Sequence, residues 1–176
     1  MNSSLQNFKI KTTARTAQRL GWRSVVAASI KTPLRKAGDR PVTRDDAALV
    51  RASLESLRPD PIPVVNNFYM RLFAIAPRIR AVFPDEMSAQ NRKFADMIDA
   101  AVQMIDNPAV LEAELAALGR QHAALGAGSA DYALVEEALL WALGRHFGAA
   151  FTPQTAAAWQ AFYRRLSAAM LQAAAA

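Results

Sequence analysis

The sequence predicts an all-α domain of about seven helices, and three features carry that expectation. From Thr43 onward, apolar side chains recur three and four positions apart, the spacing that gathers them on one side of a helix. Capping residues and prolines break this pattern at helix-length intervals. No alternating apolar and polar run is long enough to make a strand.

The elements follow in order. Thr43 precedes Arg44, Asp45 and Asp46, an N-cap with acids in the first turn, where the helix dipole favours them. Leu49, Val50, Leu54 and Leu57 form the stripe of this first helix, and Pro59, Pro61 and Pro63 are expected to stop it. A second helix carries Val64, Val65, Phe68, Leu72 and Phe73 as far as Pro77. A short third piece, Arg78 to Phe83, ends at Pro84. Ser88 is expected to cap a long helix through about Ile105, with Phe94, Met97, Ile98 and Ala101 inward. Asn107 before Pro108 opens the next, which runs through Leu118 and His122 and closes at Gly126. Another spans about Asp131 to Phe147 and stops at Gly148. Thr152 and Pro153 open the last, with Trp159, Phe162, Tyr163, Leu166 and Met170 inward.

The chain has 176 residues, the length of one ordinary domain with an appendage. Hydrophobic residues make up 52% and charged residues 20%, enough for a core and incompatible with wholesale disorder. There is no cysteine, which removes disulfides, thiolate metal sites, iron–sulfur clusters and cysteine nucleophiles together. The two histidines, His122 and His146, form no HExxH motif. The apolar runs fall far short of the roughly 20 residues that span a bilayer.

The net charge of +6 is unevenly placed. Residues 1–40 hold nine Lys or Arg against one acid, Asp39, while residues 41–176 hold twelve basic and fourteen acidic residues. The basicity belongs to an N-terminal extension and the helical domain, residues 41–176, is mildly acidic, which argues against nucleic acid as a partner. The extension is rich in Ser, Thr, Arg and Lys, a composition shared by transit peptides and by disordered basic tails. Its only apolar stretch, Ser24 to Ile30, is short and flanked by Arg23 and Lys31, which does not suit a secretory signal. A flexible extension and an over-long start remain open alternatives.

Hydrolytic chemistry has little to work with here. The acids fall mostly on solvent-facing positions, no Gly-rich loop follows a strand, and neither histidine has a nucleophile elbow beside it. His122 follows Leu115 and Leu118 on one helix side, so its ring is expected to point inward. Taken alone, an inward histidine is more often a hydrogen-bonded core residue than a ligand. His146, beside Arg145 at a helix end, reads as structural, because a cation suits the dipole there. The rest of the inward set changes the weight on His122. Tyr69 brings a hydroxyl and Gln90 an amide onto faces that also carry Phe68, Phe94, Met97 and Ile98, and both are costly to bury without partners. One inward His, a Tyr hydroxyl, a Gln amide and an apolar ring of side chains together suit a haem pocket, with the His on the iron.

The stretches NNFYMRLFAIAPRIRAVFP, MSAQNRKFADMI, LAALGRQHAALG, DYALVEEALLWALGRHFG and FTPQTAAAWQAFYRRL, in that order over about residues 44–170, resemble the bacterial single-domain globins and the globin domain of flavohaemoglobins. The resemblance implies a globin fold around haem b and its iron, with His122 as the proximal iron ligand. It implies Tyr69 and Gln90 as the distal pair, Phe83 packed flat on the porphyrin, and Phe94 in the distal slot where relatives carry leucine. Leu118 and Val135 would line the proximal side. Tyr132 matches a tyrosine of the flavohaemoglobin proximal network. The glutamate of that network has no counterpart, since residues 172–174 hold no acid. His122 is therefore expected to be a neutral imidazole held by the Leu118 carbonyl.

By the same resemblance, dioxygen and nitric oxide are the expected ligands and a cytoplasmic location is implied. Two donors, Tyr69 and Gln90, facing bound oxygen would make its release slow. That suits nitric oxide dioxygenation, with Tyr69 and Gln90 as the catalytic pair and a separate flavin-dependent reductase to restore ferrous iron. A homodimer is also compatible with this reading. The alternative is a non-catalytic oxygen-binding, storage or sensing globin, and a third reading is the fold without haem.

Overall fold

The computed structural model describes residues 40–175, so the expected extension lies outside the described residues except for Arg40. The described chain is all-α, as expected. In order it forms α1 (Arg44–Leu57), α2 (Ile62–Ile75), a 3-10 helix (Pro77–Val82), α3 (Ser88–Gln103), α4 (Pro108–Ala124), α5 (Ser129–Phe147), one 3-10 turn (Gly148–Ala150) and α6 (Pro153–Ala175). No strand occurs among the described residues.

Caps explain most of the boundaries. Thr43 Oγ1 accepts from Asp46 N–H at 3.1 Å while the Asp46 carboxylate accepts from Thr43 N–H at 2.9 Å, a reciprocal box that closes the start of α1. Asn107 and Thr152 cap α4 and α6, each accepting the N–H three residues on. α4 stops in a left-handed residue, Gly126 at φ 86°. Two boundaries depart from expectation. Pro63 lies inside the first turn of α2, where no N–H is needed, so only Pro59 and Pro61 separate the helices. Ser88 is the first residue of α3 and not its cap. The Glu86 carboxylate accepts the Ser88 N–H at 2.8 Å, leaving the serine hydroxyl without a capping role.

The core forms where α1, α2, α5 and α6 meet, with α4 laid along α6 and α3 against α1 and α2. Trp159, Phe162, Phe68, Val50, Leu111, Leu115, Leu118 and Leu143 are fully buried, each worth roughly 1.5–3 kcal/mol if valued as a Leu or Phe side chain. The Trp159 indole N–H donates to Ser53 Oγ at 3.0 Å, satisfying the polar edge of this large ring. The apolar spacing therefore places the hydrophobic stripes correctly, and the helices converge on one internal space between α2, α3, α4, α5 and α6.

Asp46 ties the start of α1 to Arg40, the first of the described residues. Its carboxylate also accepts from both Arg40 guanidinium nitrogens, one at 2.7 Å, and this pairing holds its pKa well below the usual carboxylate range. A carboxyl with a lowered folded pKa adds stability above its unfolded value of 3.8, and that stability fades as the pH falls below it. Asp46→Ala is expected to cost about 1–2 kcal/mol at neutral pH in urea unfolding. The gap from the unmodified chain should narrow below about pH 3.8.

Candidate functional site

The internal space is a cavity whose walls are almost wholly apolar. An apolar internal cavity with a few polar groups turned into it is the usual form of a ligand or cofactor site. The helical register decides which side chains reach it. α2 turns Phe68, Tyr69 and Leu72 inward, and the 3-10 helix delivers Phe83 at its end. α3 contributes Phe94, Met97 and Ile98, α4 Leu115, Leu118 and His122, and α5 Tyr132 and Val135. Seven of the eight residues expected at the site line this one cavity. The eighth, Gln90, does not.

One set of walls is aromatic. Phe68 and Phe94 stack with centroids 4.4 Å apart at 4°, and Tyr69 meets both rings edge-on. Phe83 packs against Tyr69 at 5.4 Å and against Phe73 at 5.4 Å. Gln90 sits behind this cluster, buried, and its Nε2 donates to the Tyr69 hydroxyl oxygen at 3.0 Å. One amide N–H is thus engaged with the tyrosine, and Gln90 is not among the residues that line the cavity. Because the phenol oxygen accepts that bond, its own proton is left to donate elsewhere. Burial pushes the Tyr69 pKa well up, more than the Gln90 bond lowers it, so the hydroxyl stays protonated.

The other set centres on His122. Its Nδ1 bonds the Leu118 carbonyl at 2.8 Å, one turn back on α4, which requires Nδ1 to carry the proton and gives Nε2 the lone pair. Burial lowers the His122 pKa, against an opposing effect of the Leu118 bond, so the ring is neutral at pH 7. The Tyr132 ring lies 6.2 Å away, and burial followed by the Asp131 charge pushes its hydroxyl up to about 12.

Two polar residues of the lining were placed on helices by the sequence but not assigned to the site. Tyr163 of α6 lines the cavity and donates its hydroxyl to the Tyr132 carbonyl at 2.9 Å, locking α6 to α5. A buried tyrosine usually finds such an acceptor, so the sequence held a signal for it. Asp131 also lines the cavity, joined to Arg78 and to the Gly128 N–H; an acid three residues after a glycine at a helix start was its signal. His146 is exposed at the end of α5 against Phe147 and does not reach the cavity.

Among the described residues, no three His, Cys, Asp or Glu side chains gather as a metal site. A bare ion would have one imidazole nitrogen and nothing else. A metal that brings its own planar nitrogen ligands needs only one from the chain, together with an apolar slot, so the donor set fits haem.

The comparisons agree with this architecture. The globin family matches residues 66–170, more than half of the chain. Neuroglobin of Danio rerio is 32% identical over 143 residues, covering 73% of this chain and 90% of the relative. Neuroglobin of Chaenocephalus aceratus is 32% identical over 145 residues, with 74% and 91% covered. A crystal structure of a hexacoordinated haem protein from an anhydrobiotic tardigrade superposes with a TM-score of 0.65 at 19% identity, over 77% of this chain and 97% of that one, a likeness of fold. These comparisons support the globin family, the broader part of the kinship expected from the sequence, and do not show its bacterial and flavohaemoglobin part. The chain belongs to the globin family.

Proposed function

We propose that this globin holds haem on His122 and binds oxygen beside Tyr69 without turning it over, as a carrier, store or sensor of the gas. The observation that carries the reading is the pairing, in one apolar cavity, of a neutral histidine with Nε2 as its acceptor and a buried phenol whose proton is left to donate. Haem supplies, when bound, an iron that takes a diatomic gas reversibly and builds negative charge on it. His122 offers Nε2 while Leu118 fixes the ring's tautomer and angle. Tyr69 offers one O–H to that negative charge, with its oxygen oriented by Gln90. Phe68, Phe83 and Phe94 keep water from the same space.

The neuroglobin relatives support the non-catalytic reading over nitric oxide dioxygenation, to which none of the comparisons adds support. The dioxygenase expectation also counted Gln90 as a second donor to the gas, and Gln90 bonds Tyr69 from behind and does not line the cavity. No helix among the described residues is long and apolar enough to cross a membrane.

The test is an oxygen titration of the ferrous, haem-loaded protein followed by nitric oxide consumption with an added flavin reductase. Reversible spectral change with oxygen, and no sustained consumption of nitric oxide beyond one equivalent per haem, is the expected result. Many turnovers per haem would restore the dioxygenase reading and its reductase partner.

A further inference from the structure

The helix that presents His122 ends in a turn built on that residue's own backbone. Ala127 N–H donates to the His122 carbonyl at 3.0 Å and Gly126 N–H to the Ala123 carbonyl at 2.9 Å, about the left-handed Gly126. These two bonds close a helix end onto its last turn. The next residue, Gly128, donates its N–H to Asp131 Oδ2 at 2.9 Å. The other oxygen, Asp131 Oδ1, accepts from Arg78 Nη2 at 2.7 Å. Arg78 belongs to the 3-10 helix that Phe83 immediately follows.

One buried carboxylate, 7% exposed and lining the cavity, thus spans two separate stretches of chain. One stretch carries His122 and the other carries Phe83. Capping α5 uses only Oδ2, and a neutral amide oxygen would serve there as well. The second oxygen and the charge are matched by Arg78, which reaches across 53 positions of sequence. Burying a carboxylate is unfavourable unless it is paired in this way.

We propose that Asp131 is a positioning residue that bolts the turn after His122 to the Phe83 corner through Arg78, and so sets how firmly the cavity retains haem. This rests on the reading of His122 as the axial residue.

Two readouts test it in the full chain: amide hydrogen exchange of the haem-free protein, and haem transfer from the loaded protein to an excess of acceptor apoprotein. Asp131→Asn keeps an oxygen for the Gly128 N–H, and Arg78→Gln leaves the cap untouched. Each is expected to raise exchange across residues 125–128 and to speed haem loss about tenfold, as loss of a residue supporting a ligand does. The ferrous iron–imidazole stretching band should shift or broaden in both variants, and Arg78→Lys should recover part of each effect. The double variant should be no worse than either single one.

If Asp131→Asn loosens only residues 129–133 while Arg78→Gln matches the unmodified chain, Asp131 is a helix cap alone and the proposal is overturned. Additive losses in the double variant overturn it too. Should Asp131→Asn not fold, Arg78→Gln decides alone, since it spares the cap. Failure of the unmodified protein to take up haem would refute the functional reading, and exchange in the haem-free chain would still decide the bolt.

Discussion

Gly119→Ala is expected to destabilise the protein by about 3 kcal/mol or more in urea unfolding and to loosen the cavity with it. A Cβ at residue 119 would lie 2.3 Å from the Met170 carbonyl oxygen and 2.7 Å from its Cα. Those atoms are backbone of α6, so no side chain can swing aside to make room. α4 and α6 would have to part along their main contact, which buries Leu111, Leu115 and Leu118 on α4 and Phe162 and Leu166 on α6. His122 stands one turn beyond Gly119 and Met170 lines the cavity, so the strain reaches the site directly. Gly128→Ala is the matched control. Its Cβ would meet nothing within 4 Å at φ −125°, and its cost should stay under about 1 kcal/mol. Alanine is the better helix former, so propensity alone would stabilise the Gly119 variant, and a loss there no larger than that of Gly128→Ala would contradict the close approach of α4 to α6.

Tyr69→Phe in the haem-loaded protein is expected to speed oxygen release by about 10–100-fold, the effect of losing roughly 1.4–3 kcal/mol of hydrogen bonding to a charged acceptor. The ring and its contacts with Phe68, Phe83 and Phe94 remain, so shape is preserved and only the donor goes. Gln90→Leu should speed release less, because the amide bonds the phenol and not the cavity. In the Tyr69→Phe background, Gln90→Leu should add almost nothing, since one acts through the other. Stopped-flow displacement of oxygen by carbon monoxide reads all four proteins. Independent, multiplying effects would mean that Gln90 turns toward the gas on its own.

These two residues illustrate what could be read from the sequence. Helix starts at Thr43, Asn107 and Thr152 were legible because a cap is a local exchange between a side chain and an N–H three residues on. The inward register of His122, Tyr69 and Phe94 followed from helical spacing and the place of Val135 from the globin resemblance, and the cavity gathers all four. The role of Gln90 was not legible. Spacing brings it beside Tyr69, but whether its amide faces the cavity or the phenol depends on how α3 crosses α2. Asp131 with Arg78, and Tyr163 with the Tyr132 carbonyl, are likewise pairings between distant stretches, visible as needs in the sequence but not as partners. Gly119 is the extreme case, for nothing near it in sequence records the Met170 backbone. Ser88 misled for the opposite reason: a good capping residue became the first residue of the helix, with Met87 at the cap and the Glu86 carboxylate accepting the serine N–H.

Haem ligation by His122 is the central claim, and the visible spectrum of full-length protein reconstituted with haemin tests it most directly, beside His122→Ala and His146→Ala. The unmodified chain and His146→Ala should show the same intense Soret band, because the His146 ring lies on the surface away from the cavity. His122→Ala should lose the band or surrender its haem readily, and imidazole added to that variant should restore the spectrum by taking the vacated place. A His122→Ala spectrum identical to that of the unmodified chain, or loss of the band in His146→Ala instead, would contradict the assignment.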